Sequence, residues 1–237
     1  MARIDDVFVT GTIGNIVLYR RMGKPCARIK RNHIKQTAAT KKRGINFGIA
    51  ARAGRGLRAG LKPAMPNPKD RSVQSRLSGA IAKWLGQSDV ENMQAKDNLP
   101  FLSLFSFSAN DTFPERLKAP VSINTSENGV SINIGSFVPA RNISVPAGTV
   151  SIQLILSVAT ATLATGTSSG SQTESIEIPF NNVEIPARVF NFKVPTVHGT
   201  IIVTAARLIY CGFKNNSSFI IEKKGFNPAG IINARYC

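Results

Sequence analysis

Apolar residues recur with different spacings along the chain, and each spacing predicts a different kind of structure. Within the first thirty residues, short runs alternate with a period of two, which is typical of β-strands. These runs are 7–9, 15–21 and 26–30. Gly23 lies between the last two runs and favours a hairpin turn. Alternation places Arg28 and Lys30 on one face of the third run, opposite Ala27 and Ile29. The pattern predicts a small basic β-ribbon.

The next stretch has the three- and four-residue spacing of amphipathic helices. Thr37 is a suitable N-cap for a helix over about 38–61. One face of this helix carries apolar and small residues, namely Phe47, Ala50, Gly54, Leu57 and Leu61. Pro63 ends it, and a second helix runs from beyond Asp70 to about Leu85. Together the two predict a helical hairpin.

Five glycines interrupt the first of these helices, and each lowers its intrinsic stability by about 1 kcal/mol relative to alanine. They are Gly44, Gly48, Gly54, Gly56 and Gly60. Missing side chains let another backbone approach closely. We therefore expect this helix to have a close-packed neighbour.

From residue 101 onward, period-two runs return, and they are separated by Gly, Pro, Asn and Ser. The predicted strands are 101–107, 121–125, 130–134, 150–163, 174–178, 189–194, 199–211 and 219–222. The sequence Asn128-Gly129 favours a hairpin turn between two of them. So many short strands without a helical period favour a β-sandwich or barrel.

These patterns predict an α+β fold, in which a basic N-terminal β-hairpin and a helical hairpin precede an all-β, sandwich-like domain. We expect the basic hairpin and helical region over residues 1–86, a polar linker over 87–100 and the β domain over 101–237. The chain has 237 residues, of which 43% are apolar, and this is enough for one core plus a smaller helical unit.

Positive charge is concentrated in the first third of the chain. Residues 1–86 hold 19 Lys and Arg and three acids, whereas residues 87–237 hold 11 Lys and Arg and ten acids. The formal net charge is +17, and nearly all of it lies in the N-terminal region. Such density predicts a partner of opposite sign or, alternatively, a solvated face that keeps the protein soluble. Candidate partners are nucleic acid, an anionic membrane surface and an acidic protein.

The basic residues of this region form the candidate nucleic-acid-binding site. They are Arg20, Arg21, Lys24, Arg28, Lys30, Arg31, Lys41, Lys42, Arg43, Arg52, Arg55 and Arg58. Phosphate contacts need only closely placed cations and carry no base specificity. Tyr19 and Phe47 are too few for a base-stacking platform, so we expect DNA or RNA to bind non-specifically. A membrane partner is disfavoured, because the basic helix lacks bulky apolar anchors.

Residue types that perform catalysis are sparse and dispersed. The histidines and cysteines of the chain are His33, His198, Cys26, Cys211 and Cys237. They are too far apart in sequence to predict a metal site. Acids of the β part, such as Glu174 and Glu177, are predicted to be solvated rather than paired in a cleft. We therefore expect no enzyme activity, no cofactor, no metal and no small-molecule substrate. With no secretory signal and no spanning segment evident, we expect a cytoplasmic or virion-like location.

Several short motifs are spread over most of the chain. They are Gly11-Thr12-Ile13-Gly14-Asn15, Gly23-Lys24 with Arg28, Thr37-Ala38-Ala39-Thr40 ahead of Arg43 and Phe47, Val145-Pro146-Ala147-Gly148-Thr149 and Asn227-Pro228-Ala229-Gly230-Ile231-Ile232. Together they resemble a family of uncharacterised Bacteroidota proteins with a Gly-rich N-terminal hairpin and a Thr-capped helix. Where that family often has Gln in the helix opening, this chain has Thr40. The resemblance implies a repeated architecture and brings no known activity, and some members resemble phage or mobile-element genes.

Two functions fit these features. The first is a non-enzymatic, self-assembling structural protein, a subunit of a shell, tube or filament, whose basic N-terminal third contacts neighbouring copies and a polyanion. The alternative is a non-specific nucleic-acid-binding protein without higher assembly. One-sided charge suits both functions, whereas the Gly-rich helix favours assembly.

Overall fold

The structure is a computed structural model that describes residues 3–5, 8–30, 36–66, 72–87, 99–108, 111–126, 128–223 and 225–237. Its contacts divide the chain into two compact units, Met1–Lys42 and Arg43–Cys237. Antiparallel strands predominate, and helices accompany them. A β-rich α+β fold class is therefore confirmed.

The N-terminal unit is a four-stranded antiparallel meander. Its strands, hydrogen-bonded in chain order, are β1 (Arg3–Asp5), β2 (Phe8–Ile13), β3 (Ile16–Arg21) and β4 (Lys24–Ile29). Met22 and Gly23 form the β3–β4 turn with φ angles of 50° and 78°, the positive values that suit a two-residue hairpin. The three predicted strands are confirmed as β2, β3 and β4, and β1 adds a strand that was not predicted.

Two helices follow the meander at the positions that the sequence predicts. The first, α1, spans Ala38–Gly60, and the Thr40 backbone N–H donates to Thr37 Oγ1 at 3.2 Å. This is the contact of an N-cap with the third helical residue. A 3-10 turn (Lys62–Ala64) follows the end of α1, and the next helix, α2, spans Val73–Gln87. The apolar stripe of α2 is buried at Val73, Leu77, Ile81 and Trp84.

The C-terminal unit is built on a five-stranded antiparallel sheet. Its strands are β7 (Ser151–Thr162), β8 (Ser168–Pro179), β10 (Thr200–Lys214), β11 (Ser217–Ile220) and β12 (Ala229–Tyr236). The central strand is β10, which pairs with β7 along residues 200–211. Its other edge is shared by β12, along 201–207, and β11, along 211–214. The outer edge of β7 carries β8.

A smaller sheet and two short helices complete this unit. The sheet contains β5 (Val121–Ser126), β6 (Gly129–Ile134) and β9 (Arg188–Phe192) in that order. The helices are α3 (Phe113–Arg116) and α4 (Pro139–Asn142). The hairpin predicted around residue 129 is confirmed as β5–β6.

The inner strands β7 and β10 of the five-stranded sheet are buried on both faces, whereas β8 and β11 are largely exposed. Ala159 and Val203 on one face pack in a core with Leu57 of α1 and other residues of α1 and α2. On the other face, Leu154 packs in a second core with Ile132 of the smaller sheet. Strands buried on both faces carry nearly continuous apolar runs, which explains the long runs of β7 and β10.

The division of the chain differs from the predicted domains. Instead of ending a separate region near residue 86, α1 and α2 share a core with β7 and β10, and the compact units divide between Lys42 and Arg43. The physical reason is that an apolar sheet face needs a cover, and the helices supply it. Most of the predicted linker, residues 88–98, lies outside the described residues, whereas Leu99 is fully buried.

The strand predicted over residues 101–107 is wrong. The backbone turns through 101–104, and Ser106 makes only an isolated bridge with Gly230. Leu102 and Phe107 are fully buried, so the apolar character of this run comes from core packing. In contrast, β12 pairs with the edge of β10 although no strand was predicted there.

Candidate polyanion-binding site

One face of the β1–β4 sheet is basic. Pairing places Arg28 opposite Val17 and Lys24 opposite Arg21, and residues directly opposite each other lie on the same face. Arg21, Lys24 and Arg28 therefore share a face. Tyr19 lies on it as well, with its ring centroid 5.8 Å from the Arg28 Cζ atom. The predicted separation of Arg28 from the apolar positions of β4 is confirmed.

The opposite face of the sheet is apolar and uncovered. Val9, Ile13, Ile16 and Ile29 lie on it by strand register, and their exposed fractions range from 38% to 70%. Arg20 also lies on this face, opposite Pro25, and not with the other cations. None of the side chains of residues 9–30 is buried. The sheet is thus amphipathic without a core of its own in the part of the chain described.

The predicted site residues are distributed over both units. In the N-terminal unit, exposed cations on or beside β3, β4 and the start of α1 are Arg20, Arg21, Lys24, Arg28, Lys30, Lys41 and Lys42. The predicted site residues in the C-terminal unit all lie on α1; Arg43, Arg52 and Arg55 are exposed, and Arg58 is partly buried. Arg31 lies outside the described residues.

The first turns of α1 are exposed. Ile45 and Phe47 are both more than half exposed, and the first buried residue of the helix is Ala50. A Cβ atom added at Gly44 or Gly48 would meet nothing within 4 Å. The close-packed neighbour expected for these two glycines is not found among the described residues.

Three later glycines of α1 have close neighbours in the same chain. A Cβ atom at Gly54 would lie 3.2 Å from Ser78 Oγ of α2. At Gly56 it would lie 2.6 Å from the carbonyl oxygen of Gly166, and at Gly60 it would lie 2.7 Å from the Cβ atom of Ala159. The neighbours expected for these glycines are therefore α2 and the β7–β8 hairpin.

The C-terminal end of α1 borders a cleft that the sequence did not predict. Arg55 and Arg58 of α1 line it together with Lys62 of the 3-10 turn, whereas Arg52 does not. Arg207 of β10 lines it as well. A signal for Arg207 was present in the sequence, because it is the one charged residue between Thr200 and Cys211.

Catalytic groups are not brought together in the described residues. Burial raises the pKa of the thiols of Cys211 and Cys237, which lowers their thiolate fraction and their reactivity. His198 lies with its ring centroid 6.3 Å from that of Tyr236, and His33 lies outside the described residues. Within the described ranges, no group of three His, Cys, Asp or Glu side chains is placed to hold a metal ion. No helix in these ranges is both long enough and apolar enough to span a membrane.

A buried ion pair has a structural role. Arg116 Nε donates to Asp111 Oδ1 at 2.6 Å, and Arg116 also donates from Nη2 to the Gly225 carbonyl oxygen. Asp111 Oδ2 accepts a hydrogen bond from the Asn227 backbone N–H at 2.7 Å. These contacts fix α3 and the segment before β12, and each polar group has a partner.

No protein-family model, curated protein or solved structure matches the chain. The resemblance to a Bacteroidota family therefore stays a prediction. The features of the described residues that bear on function are the two faces of the β1–β4 sheet, the exposed start of α1 and the cleft beside its end.

Proposed function

We propose that the protein is a non-enzymatic, self-assembling structural subunit of a shell, tube or filament, and that its basic N-terminal region binds a polyanion. The observation that carries the proposal is the amphipathic β1–β4 sheet, with exposed Ile16 and Ile29 on one face and Arg21 and Arg28 on the other. Small sheets need a covered apolar face to be stable. In this proposal the C-terminal unit, with its sandwich-like pair of sheets, forms the body of the subunit.

A second copy is the partner that suits the apolar face. Two copies that stack through the same patch make an isologous contact, which buries both apolar faces at once. Each square ångström buried contributes about 25 cal/mol. The basic faces would then point outward on both sides, which leaves Arg21, Lys24 and Arg28 accessible to the polyanion.

Nucleic acid is the polyanion that we propose for the basic face. Three cations on two adjacent strands can contact neighbouring phosphates, and phosphate contacts carry no sequence information. With Tyr19 as the aromatic residue among them, the face offers little for stacking on bases. Binding should therefore be non-specific and strongly dependent on salt.

A second function is favoured by the packing of α1. Gly54, Gly56 and Gly60 contact other parts of the same chain, so these glycines do not need a neighbouring copy. Because these glycines of α1 pack against the same chain, the protein does not need higher assembly and could act as a non-specific nucleic-acid-binding protein. The oligomeric state of the protein distinguishes this function from the first.

Assembly is tested by the double substitution Ile16→Ser and Ile29→Ser. These two residues are paired on the apolar face, and we expect their loss to shift the wild-type oligomer to monomer in size-exclusion chromatography with light scattering. Val183→Ser is the matched control, because Val183 is 67% exposed and lies outside the sheet. A wild-type protein that is monomeric at every salt and protein concentration would rule out assembly and leave the second function.

Polyanion binding is tested by Arg21→Glu with Arg28→Glu. We expect weaker binding of a single-stranded oligonucleotide and a logarithmic salt slope smaller by roughly 1.4, because each of two lost phosphate contacts on a single strand contributes about 0.7. The matched control is Arg141→Glu with Arg188→Glu, two exposed positions with the same change in net charge. If the control loses as much affinity as the test variant, binding depends on net charge and not on this face.

A further inference from the structure

The cleft beside α1 is a feature separate from the basic face of the β1–β4 sheet. Its volume is about 960 Å³, which is within the range of small-molecule sites. Basic side chains line it at Arg55, Arg58, Lys62, Arg207 and Lys223. Its apolar lining includes Met65, Val73, Ile209, Tyr210 and Phe226. All of these residues belong to the C-terminal unit.

Two guanidinium groups in the cleft have a buried donor without a partner. The Nε atoms of Arg58 and Arg207 make no hydrogen bond in the described part of the chain. Arg207 is held in place by one bond, from Nη1 to the Met65 carbonyl oxygen at 2.8 Å. An unsatisfied buried donor lowers the free energy of unfolding by about 1–3 kcal/mol, so a hydrogen-bond acceptor for these atoms would stabilise the protein.

Acidic groups of the described residues do not supply that acceptor. Among the described residues, the ion pair present joins Arg116 to Asp111, and neither of these residues lines the cleft. The carboxylate in the lining belongs to Glu222, and it forms no ion pair with Arg58 or Arg207. The excess of cations over carboxylates makes the cleft attractive to an anion from outside the chain.

We propose that this cleft binds a phosphate group carried by an organic molecule, with Arg58 and Arg207 as donors to the phosphate oxygens. Guanidinium forks match phosphate geometry and form strong, charge-assisted hydrogen bonds. Arg55 of α1 and Lys62 of the 3-10 turn continue the basic lining. Met65, Val73 and Ile209 offer apolar contact to the organic part of the ligand. Such a ligand is either a free phosphorylated small molecule or one nucleotide unit of a nucleic acid strand.

Calorimetric titration of the full chain with inorganic pyrophosphate tests the site. We expect saturable binding with one site per chain, and an affinity at least about tenfold lower in Arg58→Gln, because a charge-assisted hydrogen bond is lost. Arg207→Lys keeps the positive charge but removes the fork, and we expect a similar loss. Arg141→Gln is the control, because it removes an exposed positive charge outside the cleft. Thermal melts verify that each variant is folded.

Competition identifies the source of the phosphate. Displacement of pyrophosphate by adenosine 5′-monophosphate but not by a short oligodeoxythymidine supports a free small molecule, and displacement by both supports a nucleic acid strand. Absence of saturable binding, or equal affinity in wild type, Arg58→Gln and Arg207→Lys, would overturn the site. Light scattering on the same samples reports assembly separately, so failure of the proposed function is distinguishable from failure of the cleft.

Discussion

Glycine residues of α1 differ in what surrounds them, and this difference decides what each one does. At Gly56 the carbonyl oxygen of Gly166 leaves no room for a side chain, whereas Gly48 faces open space. The same substitution on one helix should therefore have opposite effects at the two positions.

We expect Gly56→Ala to destabilise the fold by about 1–3 kcal/mol, because the added methyl group would collide with backbone that cannot move freely. Gly48→Ala should instead stabilise it by up to about 1 kcal/mol, through the higher helix propensity of alanine. Urea unfolding followed by circular dichroism measures both. A Gly56→Ala protein as stable as the wild type would contradict the close approach of α1 to the β7–β8 hairpin.

Local chemistry explains which single residues could be predicted. Thr37 was recognisable as a cap because the capping bond joins it to a residue three positions away. Alternation likewise separates Arg28 from Ile29 within one strand. Arg207 is recognisable in the sequence as an isolated charge, but its contact with Met65 could not be predicted, because the two residues are 142 positions apart.

Contacts between elements hold the helical layer on the sheet. Trp84 of α2 packs against Tyr236 of β12, with ring centroids 5.7 Å apart, and both side chains are buried. This pair joins the second helix to the last strand. We expect the packing of α2 on the sheet to depend more on this aromatic contact than on any contact of the exposed side of α2.

We expect Trp84→Ala to lower the free energy of unfolding by about 3–5 kcal/mol, as is usual for loss of a large buried aromatic side chain. Gln74→Ala, at an exposed position of α2, should change it by less than about 0.5 kcal/mol. Chemical denaturation of both variants provides the comparison. Equal stabilities would show that the helix does not depend on this contact.

At the level of elements, the positions of helices and strands could be predicted, because they depend on local periodicity. The bounds of α1, α2 and most strands follow from spacing and turn residues, but their partners do not. No strand was predicted for β12, because its Ala, Gly and Asn residues give a weak strand signal. The run 101–107 had the alternation of a strand but supplies core residues from turns. Its partners in the core come from distant parts of the chain.

For the molecule as a whole, charge predicts how many nucleotides one chain would bind if nucleic acid is the polyanion proposed above. A net charge of +17 is neutralised by about 17 phosphates. We expect a single-stranded oligonucleotide to saturate the protein near 17 nucleotides per chain at low salt, as measured by absorbance at 260 and 280 nm. Saturation at one to three nucleotides would instead limit binding to a discrete site such as the cleft.

The position of β12 has a consequence for how the chain folds as it is made. This strand follows both helices in the chain, yet it pairs with one edge of the central strand and supplies Tyr236 to the core that contains residues of α2. Both helices leave the ribosome long before these partners exist. Their apolar stripes therefore stay exposed to other nascent chains and to chaperones until β12 has been synthesised.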